Sequence, residues 1–283
     1  MISIITPSFR QLDWLRLAIA SVADQGGVEV EHIVQDAGTG GVKEMFEDVT
    51  NSFGHHRYTA KLFVEKDVGM YDAINRGLQK ARGDICAYLN CDEQYLPGAL
   101  AKVATFFGAN PEVDVLFGDL ILVNGEGQPV SYRRAVLPTK RHVRLAHLNT
   151  STCATFFRRR LLDRGFYFDP DWKVIGDAIW VENLLRHGVK MATLPEPLAI
   201  FTFTGKNLTA TALSSSETLR WGGAPLAGKR FKKIGVVFWH RMRKALAGAY
   251  RYRRVEIDVF TLESPEKRQH FVRKNVGFGW PSS

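Results

Sequence analysis

The stretch Ala87–Pro97, "AYLNCDEQYLP", decides the fold. The run "ICAYL" that leads into it is apolar, aromatic and of strand length, and reads as a buried strand. It stops at Asn90, Cys91, Asp92 and Glu93. Two acids at the end of a core strand are costly to desolvate, so they need a partner or a purpose. Upstream, "ISIITPS" (2–8), "VEHIVQD" (30–36) and "KLFVEKD" (61–67) are further strand-like runs. Between them lie helical patterns, one with Leu12, Leu15, Ile19 and Val22 at spacings of three and four, the other "YDAINRGLQKARGD" ending near Gly83. Downstream, "LPGALAKVATFFGANP" reads as a helix and "VDVLFGDLILV" as a strand. Strands alternating with helices predict an α/β fold, a mostly parallel sheet with helices on both faces. Ligands of such sheets sit beyond the carboxyl ends of the strands. Asp36, Asp67 and Asp92 fall there, on three different strands. One such Asp is as readily a cap or turn residue; three on one rim point to a polar site.

At 283 residues and 45% hydrophobic, the chain has room for one large domain, alone or with an appendage. No run approaches about 18 apolar residues, so no transmembrane helix is expected. "MISIITPSF" has neither a basic leader nor a small-residue cleavage site, and no secretory signal is expected. Cys86, Cys91 and Cys153 lack the spacing of a zinc site or disulfide framework, which suits a reducing cytoplasm. The formal charge of +9 is unevenly placed: Thr218 to Val255 holds eleven Lys/Arg and no acid. The remaining 27 of the 38 basic residues face 29 acidic ones, a net of −2. A nucleic-acid enzyme would spread its cations along a groove. This pattern instead marks an appendage with its own partner, and no nucleic acid is expected.

Two nucleotide-binding patterns are set aside. The first loop, "TPSFRQ", has no glycine, against a G-x-G-x-x-G dinucleotide site. "GAPLAGKR" (223–230) matches G-x-x-x-x-G-K, but Arg230 replaces the metal-holding Ser/Thr and no strand precedes it. It reads as a chance match in a linker.

The segments "ISIITPSF", "VEHIVQDAGT", "EKDVGMYDAINRGLQKARGDICAYLNCDE" and "TFFRRRLLDRGFYFDP" resemble the inverting family 2 glycosyltransferases of GT-A fold. They are most similar to a bacterial subgroup that acts on cell-surface glycans, over about Met1 to Thr209. The resemblance implies a Rossmann-like GT-A domain, a nucleoside-diphosphate-sugar donor (UDP-, GDP- or dTDP-linked) and a divalent cation, Mg²⁺ or Mn²⁺. Asn90-Cys91-Asp92 stands where the family has its D-x-D motif, so Asp92 is the implied metal ligand. Asn90, in place of the first Asp, lies at the donor and weakens the metal's hold. Glu93 either assists through a water or caps the next helix. By position, Thr6 and Pro7 would line the nucleoside pocket and Asp36 would contact base or ribose. Asp67 and Asp72 would border the donor, with Asn75 and Arg76 nearby. Asp72 could equally cap its helix, and Asn75 could support the loop. Asp119, in "GDL", falls where a later strand crosses the site.

Inverting transfer needs a general base within reach of the acceptor hydroxyl. In "WKVIGDAIWVENLLRHG", which resembles the family's base-bearing segment, the matching acid is Asp177. Asp also favours helix N-caps, and the two roles are compatible. Glu182, five residues on and about 500° around a helix, is off that face and better placed to pair with Arg186. Thr152-Cys153 stands where the family often has His-Gln, so no acceptor contact is carried over there.

The expected domains are a catalytic unit over 1–212, a linker over 213–228 and a basic C-terminal helical extension over 229–283. On a helix, Phe231, Ile234, Phe238, Met242, Ala245, Leu246 and Ala249 share one face, and Lys232, Lys233, His240, Arg243, Lys244, Arg251 and Arg254 the other; Val236 breaks the pattern. Such a helix either lies in an anionic membrane surface through residues 229–254 or packs its apolar face on the catalytic unit. "VEIDVFTLESPEKRQHFVRKNVGFGW" carries no motif and folds back or forms an interface. The expectation is metal-assisted, inverting glycosyl transfer to a hydroxyl of a cell-surface glycan or lipid-linked acceptor. It would occur in the cytoplasm, at the inner membrane face if the tail binds there. A nucleotidyltransferase and a non-catalytic scaffold of the same fold are the rival readings.

Overall fold

The computed structural model describes residues 1–53, 55–203, 212–222 and 227–280. The strands are β1 (Ile2–Ser8), β2 (Val30–Asp36), β3 (Tyr58–Val64), β4 (Ile85–Tyr88), β5 (Glu93–Tyr95), β6 (Val115–Asn124), β7 (Pro129–Arg133), β8 (Thr155–Arg158), β9 (Met191–Phe203), β10 (Arg253–Thr261) and β11 (Ser264–Val276). The helices are α1 (Leu12–Ala23), α2 (Val42–Phe53), α3 (Met70–Lys80), α4 (Ala99–Ala109), α5 (Lys140–Leu145), α6 (Arg160–Asp163), α7 (Gly176–Arg186), α8 (Ala212–Gly222) and α9 (Ala227–Leu246). Nine strands form one sheet in the order β3-β2-β1-β4-β8-β6-β9-β5, with β7 paired to β6.

The sheet is parallel through β3, β2, β1 and β4. Beyond β4 it is mixed: β8 runs antiparallel to both β4 and β6, while β9 runs parallel to β6. The parallel part is the half the sequence shows as strand–helix repeats. Its strands β1, β2 and β4 are buried along their whole length, because helices cover both faces. Alternation sorts the two layers. Ile4 joins α1 and α4 through Ala18, Val22, Leu100 and Phe107, whereas Ile5 joins α3 and α7 through Tyr71, Ile74 and Trp180. Each such side chain contributes about 1.5–3 kcal/mol on burial. The carboxyl ends of β1, β2, β3 and β4 lie on one edge, with Asp36 closing β2 and Asp67 three residues past β3.

The C-terminal region departs from the expected linker and helical extension. Ala212–Gly222, which spans the first part of the expected linker, is helical. The segment that showed no motif is a β-hairpin, β10–β11, antiparallel from Arg253↔Val276 to Thr261↔Ser264. Val255, Ile257 and Val259 alternate inward and pack with Leu96, Ile121, Tyr132 and Ile200 on the main sheet. Arg268 ties the hairpin to α1 through a two-nitrogen pair with Asp24 at 2.5 and 2.8 Å. The phosphate-loop-like stretch lies partly outside the described residues, at 223–226.

Helix α9 is docked by the side that sequence spacing assigns to solvent. Val236, Val237, Arg243 and Lys244 are partly buried and His240 fully so, while Ile234, Phe238, Met242 and Leu246 are exposed. His240 stacks on His142 of α5 with centroids 3.8 Å apart, and Arg243 donates to the Leu137 carbonyl at 2.8 Å. Val236, which breaks the helical pattern, belongs to this interface. Among the described residues no helix is long and apolar enough to cross a membrane.

The hairpin's part in the main core has a direct test. Ile257→Ala should lower unfolding stability by about 2–4 kcal/mol in denaturant titrations. A hairpin merely appended to the surface would give a change within about 0.5 kcal/mol.

Candidate active site

The rim above β1–β4 is built from acids whose backbones are held by short turns. Asp36, fully buried, accepts from the N–H groups of Gly38 (2.8 Å) and Thr39 (2.6 Å) and from the Thr39 hydroxyl (2.8 Å). Thr39 in turn accepts from the Arg10 N–H at 2.8 Å, pinning the loop after β1 to the loop after β2. Asp67 accepts from the Gly69 N–H at 2.9 Å. Burial, with the charges of Asp72 and Asp36 added, raises the Asp67 carboxyl above its ordinary value. Asp72 sits in the first turn of α3, accepting from the Val68 N–H (3.1 Å) and from Arg76 (3.0 Å). Burial pushes its carboxyl up, but Arg76 and that N–H outweigh burial and hold it below the ordinary range. The structure therefore brings both Asp36 and Asp72 within electrostatic range of Asp67.

Three sequence-expected contacts are placed differently. Thr6 is fully buried within β1, and its hydroxyl meets His32 Nε2 at 2.9 Å, itself joined to the Tyr58 hydroxyl. Its side chain belongs to the core network, because a central strand buries both faces. Pro7 is likewise buried and offers its carbonyl to the Cys91 thiol at 3.1 Å. Asn75 spends both ends of its amide on one residue, donating to the Phe168 carbonyl (2.7 Å) and accepting from the Phe168 N–H (3.0 Å). It supports the loop rather than facing a ligand. Asp119 is equally occupied, by the Tyr132 hydroxyl (2.6 Å), Arg134 (2.8 Å) and the Ala135 N–H (2.8 Å).

The turn that opens the problem, Asn90 to Glu93, is closed from within. The Asn90 N–H donates to Glu93 Oε2 at 2.8 Å, and the Glu93 N–H donates to the Asn90 carbonyl at 3.1 Å. Glu93 lies in β5 and caps no helix; the next helix starts at Ala99. Burial first, and then the Asp92 charge, push its carboxyl well up. The charges of Asp92, Asp36 and Glu93 also converge on Cys91, whose thiol burial raises to about 12. Among the described residues no group of three or more His, Cys, Asp or Glu is placed to hold a metal ion. The Asn90 Oδ1, however, is buried without a hydrogen-bond partner, two residues from Asp92. One carboxylate and one amide oxygen suit a hard cation whose remaining ligands are phosphate and water oxygens, and not a site closed by protein alone.

Asp177 is the second residue of α7. Its backbone N–H donates to the Tyr71 hydroxyl at 3.1 Å, and that hydroxyl donates to the Val174 carbonyl at 3.0 Å. Tyr71 is fixed by stacking on Phe168 and by Gly176, where an added Cβ would lie 2.6 Å from the tyrosine ring. Burial and the Asp177 charge keep Tyr71 a neutral phenol. Burial pushes the Asp177 carboxyl up to about 6, against the lowering effect of the Ala178 N–H and Tyr71. A carboxylate poised there is a competent proton acceptor near neutrality. Glu182 pairs with Arg186 at 3.8 Å, as its spacing suggests.

The loop before Asp177 is clamped by a residue that sequence reading passed over. Glu217 of α8 is 6% exposed, and its carboxylate accepts from the N–H groups of Lys173 (2.7 Å), Val174 (2.9 Å) and Ile175 (3.1 Å). These are free donors at the start of α7, and an anion is favoured there. No local pattern marks Glu217, since its partners lie 42 to 44 residues away. Lys173 also bridges the Val68 and Pro170 carbonyls at 2.7 Å each, linking the Asp67 loop to the Asp177 loop. A cavity of about 1380 Å³ opens beside this assembly, with Asp177, Glu93, Thr152, Arg134, Trp221 and Trp280 in its wall.

Glu217→Ala should cost about 2–3 kcal/mol in denaturant unfolding, because it strands buried N–H donors. Glu217→Gln, which keeps one acceptor oxygen, should recover about half of that. Equal stability of the two variants would count against the clamp.

The Glycosyl transferase family 2 model matches residues 3–166, more than half of the chain. An uncharacterized glycosyltransferase of Nostoc sp. is 23% identical over 99% of this chain and 89% of its own length. A PGL/p-HBAD biosynthesis glycosyltransferase of Mycobacterium bovis is 32% identical over 43% of this chain; the match spans about half of that relative, 47%. Among solved structures, S. aureus TarS 1–349 in complex with UDP-GlcNAc superposes with a TM-score of 0.61 at 19% identity, covering 89% of this chain and 76% of that one. The mannosyltransferase PcManGT of Pyrobaculum calidifontis, in complex with GDP-Man and Mn²⁺, does so at 0.55 and 17%, covering 87% and 73%. These likenesses show the fold, a GT-A architecture. With the parallel half-sheet, its acid-lined edge and the family match together, the chain belongs to glycosyl transferase family 2 and is a glycosyltransferase.

Proposed function

We propose that the protein transfers a sugar, with inversion, from a nucleoside-diphosphate-sugar donor to an acceptor hydroxyl held in the cavity beside Asp177. The observation that carries this reading is Asp177 itself: a carboxylate raised to about 6, locked by Tyr71 and Glu217 on the wall of a cavity large enough for a glycan unit. UDP-GlcNAc and GDP-Man in the fold's structural neighbours support a sugar nucleotide as donor. The acceptor is a hydroxyl of a cell-surface glycan or lipid-linked glycan, in the cytoplasm at the inner membrane face; the cationic C-terminal stretch supports that location.

The donor lies along the rim formed by Asp36, Asp67 and Asp72: Asp67 and Asp72 present carboxylate oxygens to ribose and base, and the buried Asp36 holds the Gly38–Thr39 turn beside them. Asp92 and the unpartnered Asn90 oxygen would hold a divalent cation, Mg²⁺ or Mn²⁺. When bound, such a cation neutralises charge on the departing diphosphate. Asp177 takes the acceptor's hydroxyl proton as the acceptor oxygen bonds to the anomeric carbon. The bond from that carbon to the diphosphate breaks on the opposite face, and the nucleoside diphosphate leaves with the electron pair. A single carboxylate base suffices because the leaving group is already good, unlike the alkoxide of glycoside hydrolysis. Glu93, whose carboxyl burial pushes up, supports the Asn90–Asp92 turn by accepting from the Asn90 N–H.

The proton step sets the pH dependence. Asp177 must be ionised to accept, so turnover should rise as pH passes upward through about 6 and fall tenfold per unit below it. Asp177→Asn should lower turnover by about 100-fold or more and leave nucleotide binding intact. Near-normal turnover in that variant would refute the base assignment.

Thermal unfolding tests the donor side. With UDP, GDP or dTDP at about 100 times its dissociation constant, Mn²⁺ present, stability should rise by about 2.7 kcal/mol. Asp92→Ala or a chelator should abolish most of that rise. No rise with any diphosphate would sink the sugar-nucleotide reading.

A further inference from the structure

Helix α9 turns its large apolar side chains to solvent. Ile234, Phe238, Met242 and Leu246, each four residues on from the last, are 59, 64, 43 and 83% exposed, with Trp239 beside them at 62%. This face is not awaiting the catalytic unit, because the helix is already docked by its other side through His240, Arg243 and Lys244. Leu219 of α8, 60% exposed, extends the patch. An apolar surface of this kind on a monomer marks a contact site.

Charge identifies the occupant. Lys232, Lys233 and Arg241 are exposed on the same helix as the stripe, and Arg251 is exposed just after it, within a stretch of eleven cations and no acid from Thr218 to Val255. A second copy of the chain would set this cationic face against itself, and like charges across an interface are repulsive. A nucleic acid would meet the cations but leave Phe238, Trp239 and Leu246 in water. An anionic bilayer satisfies both: acyl chains and the headgroup boundary take the apolar stripe, and phosphates take the Lys and Arg heads. At 20 residues, α9 would lie about 30 Å along the interface. We infer that the outward face of α8 and α9 is a docking surface for an anionic phospholipid bilayer.

The surface also orients the active-site cavity. Leu219 and Ile234 belong to the exposed patch and to the cavity wall that carries Asp177. Seating the patch therefore lays the cavity mouth against the headgroups, where the hydroxyl of a membrane-anchored acceptor is presented. This orientation rests on the glycosyl-transfer reading; the docking itself does not.

Vesicle flotation of the full chain tests it, using phosphatidylcholine vesicles with and without phosphatidylglycerol at low and high salt. The chain should float with phosphatidylglycerol vesicles at low salt, stay behind with phosphatidylcholine alone, and release as salt rises. Phe238→Ser/Trp239→Ser and Lys232→Glu/Arg241→Glu should each lower the bound fraction's partition coefficient by about tenfold or more. The exposed positions leave folding intact, which thermal unfolding verifies. Absence of flotation by the wild type, or flotation of both variants equal to that of the wild type, would overturn the surface. So would a dimer in light scattering that Phe238→Ser/Trp239→Ser disperses while vesicle binding is absent. The nucleotide-induced thermal shift is read in the same preparations: flotation without that shift upholds docking and strikes only the transfer reading.

Discussion

The Tyr71 hydroxyl is the point on which the site depends. It belongs to α3, in the parallel half of the fold, and it holds the backbone on either side of the α7 start by donating to Val174 and accepting from Asp177. A phenol can do this because burial keeps it neutral, one donor and one acceptor with no charge to solvate. The close approach needs Gly176, since any side chain there would strike the ring. Glu217 then closes the same loop from the far side with a full negative charge on three N–H groups. Asp177 is thus set by its backbone and by its Oδ1, which accepts from the Ala178 N–H at 2.8 Å.

Acids at the ends of core strands divide by how their oxygens are used. Asp119 is saturated by Tyr132, Arg134 and the Ala135 N–H, and so belongs to the scaffold even though it lies on a central strand. The Asn90–Glu93 turn is different. It buries an amide oxygen with no partner, and a buried carboxyl that burial drives towards neutrality. Unsatisfied polar atoms of this kind are costly in a folded chain and are retained where a ligand completes them.

Much of this was legible because the parallel half encodes itself locally. Strand runs, helical spacing and the positions of Asp36, Asp67 and Asp92 all follow from neighbours within a few residues. The Asp177 assignment came through resemblance, and its setting came only from the structure. Thr6 and Asn75 show that a sequence position does not reveal which way a buried side chain is spent: one joins His32, the other Phe168. The linker reading of 213–228 missed α8, since Ser- and Gly-rich composition says nothing of a Glu217 clamp 42 to 44 residues from its partners. The hairpin was within reach. Val255, Ile257 and Val259 alternate as a half-buried strand should, in a segment expected to fold back or form an interface.

Amphipathic spacing likewise shows that α9 has two faces without showing which one turns inward. The choice was made by His240 and His142, whose stacked rings are neutral: burial foremost, then neighbouring charge, depresses them to about 3 and about 4. Neutral imidazoles can share an interface with Arg243 and Lys244, where protonated ones would add repulsion. With that side committed, the apolar stripe has no internal surface left to cover. Helix α8 carries the consequence to the site, because Leu219 faces outward and Glu217, two residues earlier, faces the loop of Asp177. The outer surface and the loop before Asp177 are therefore joined through a single turn of helix.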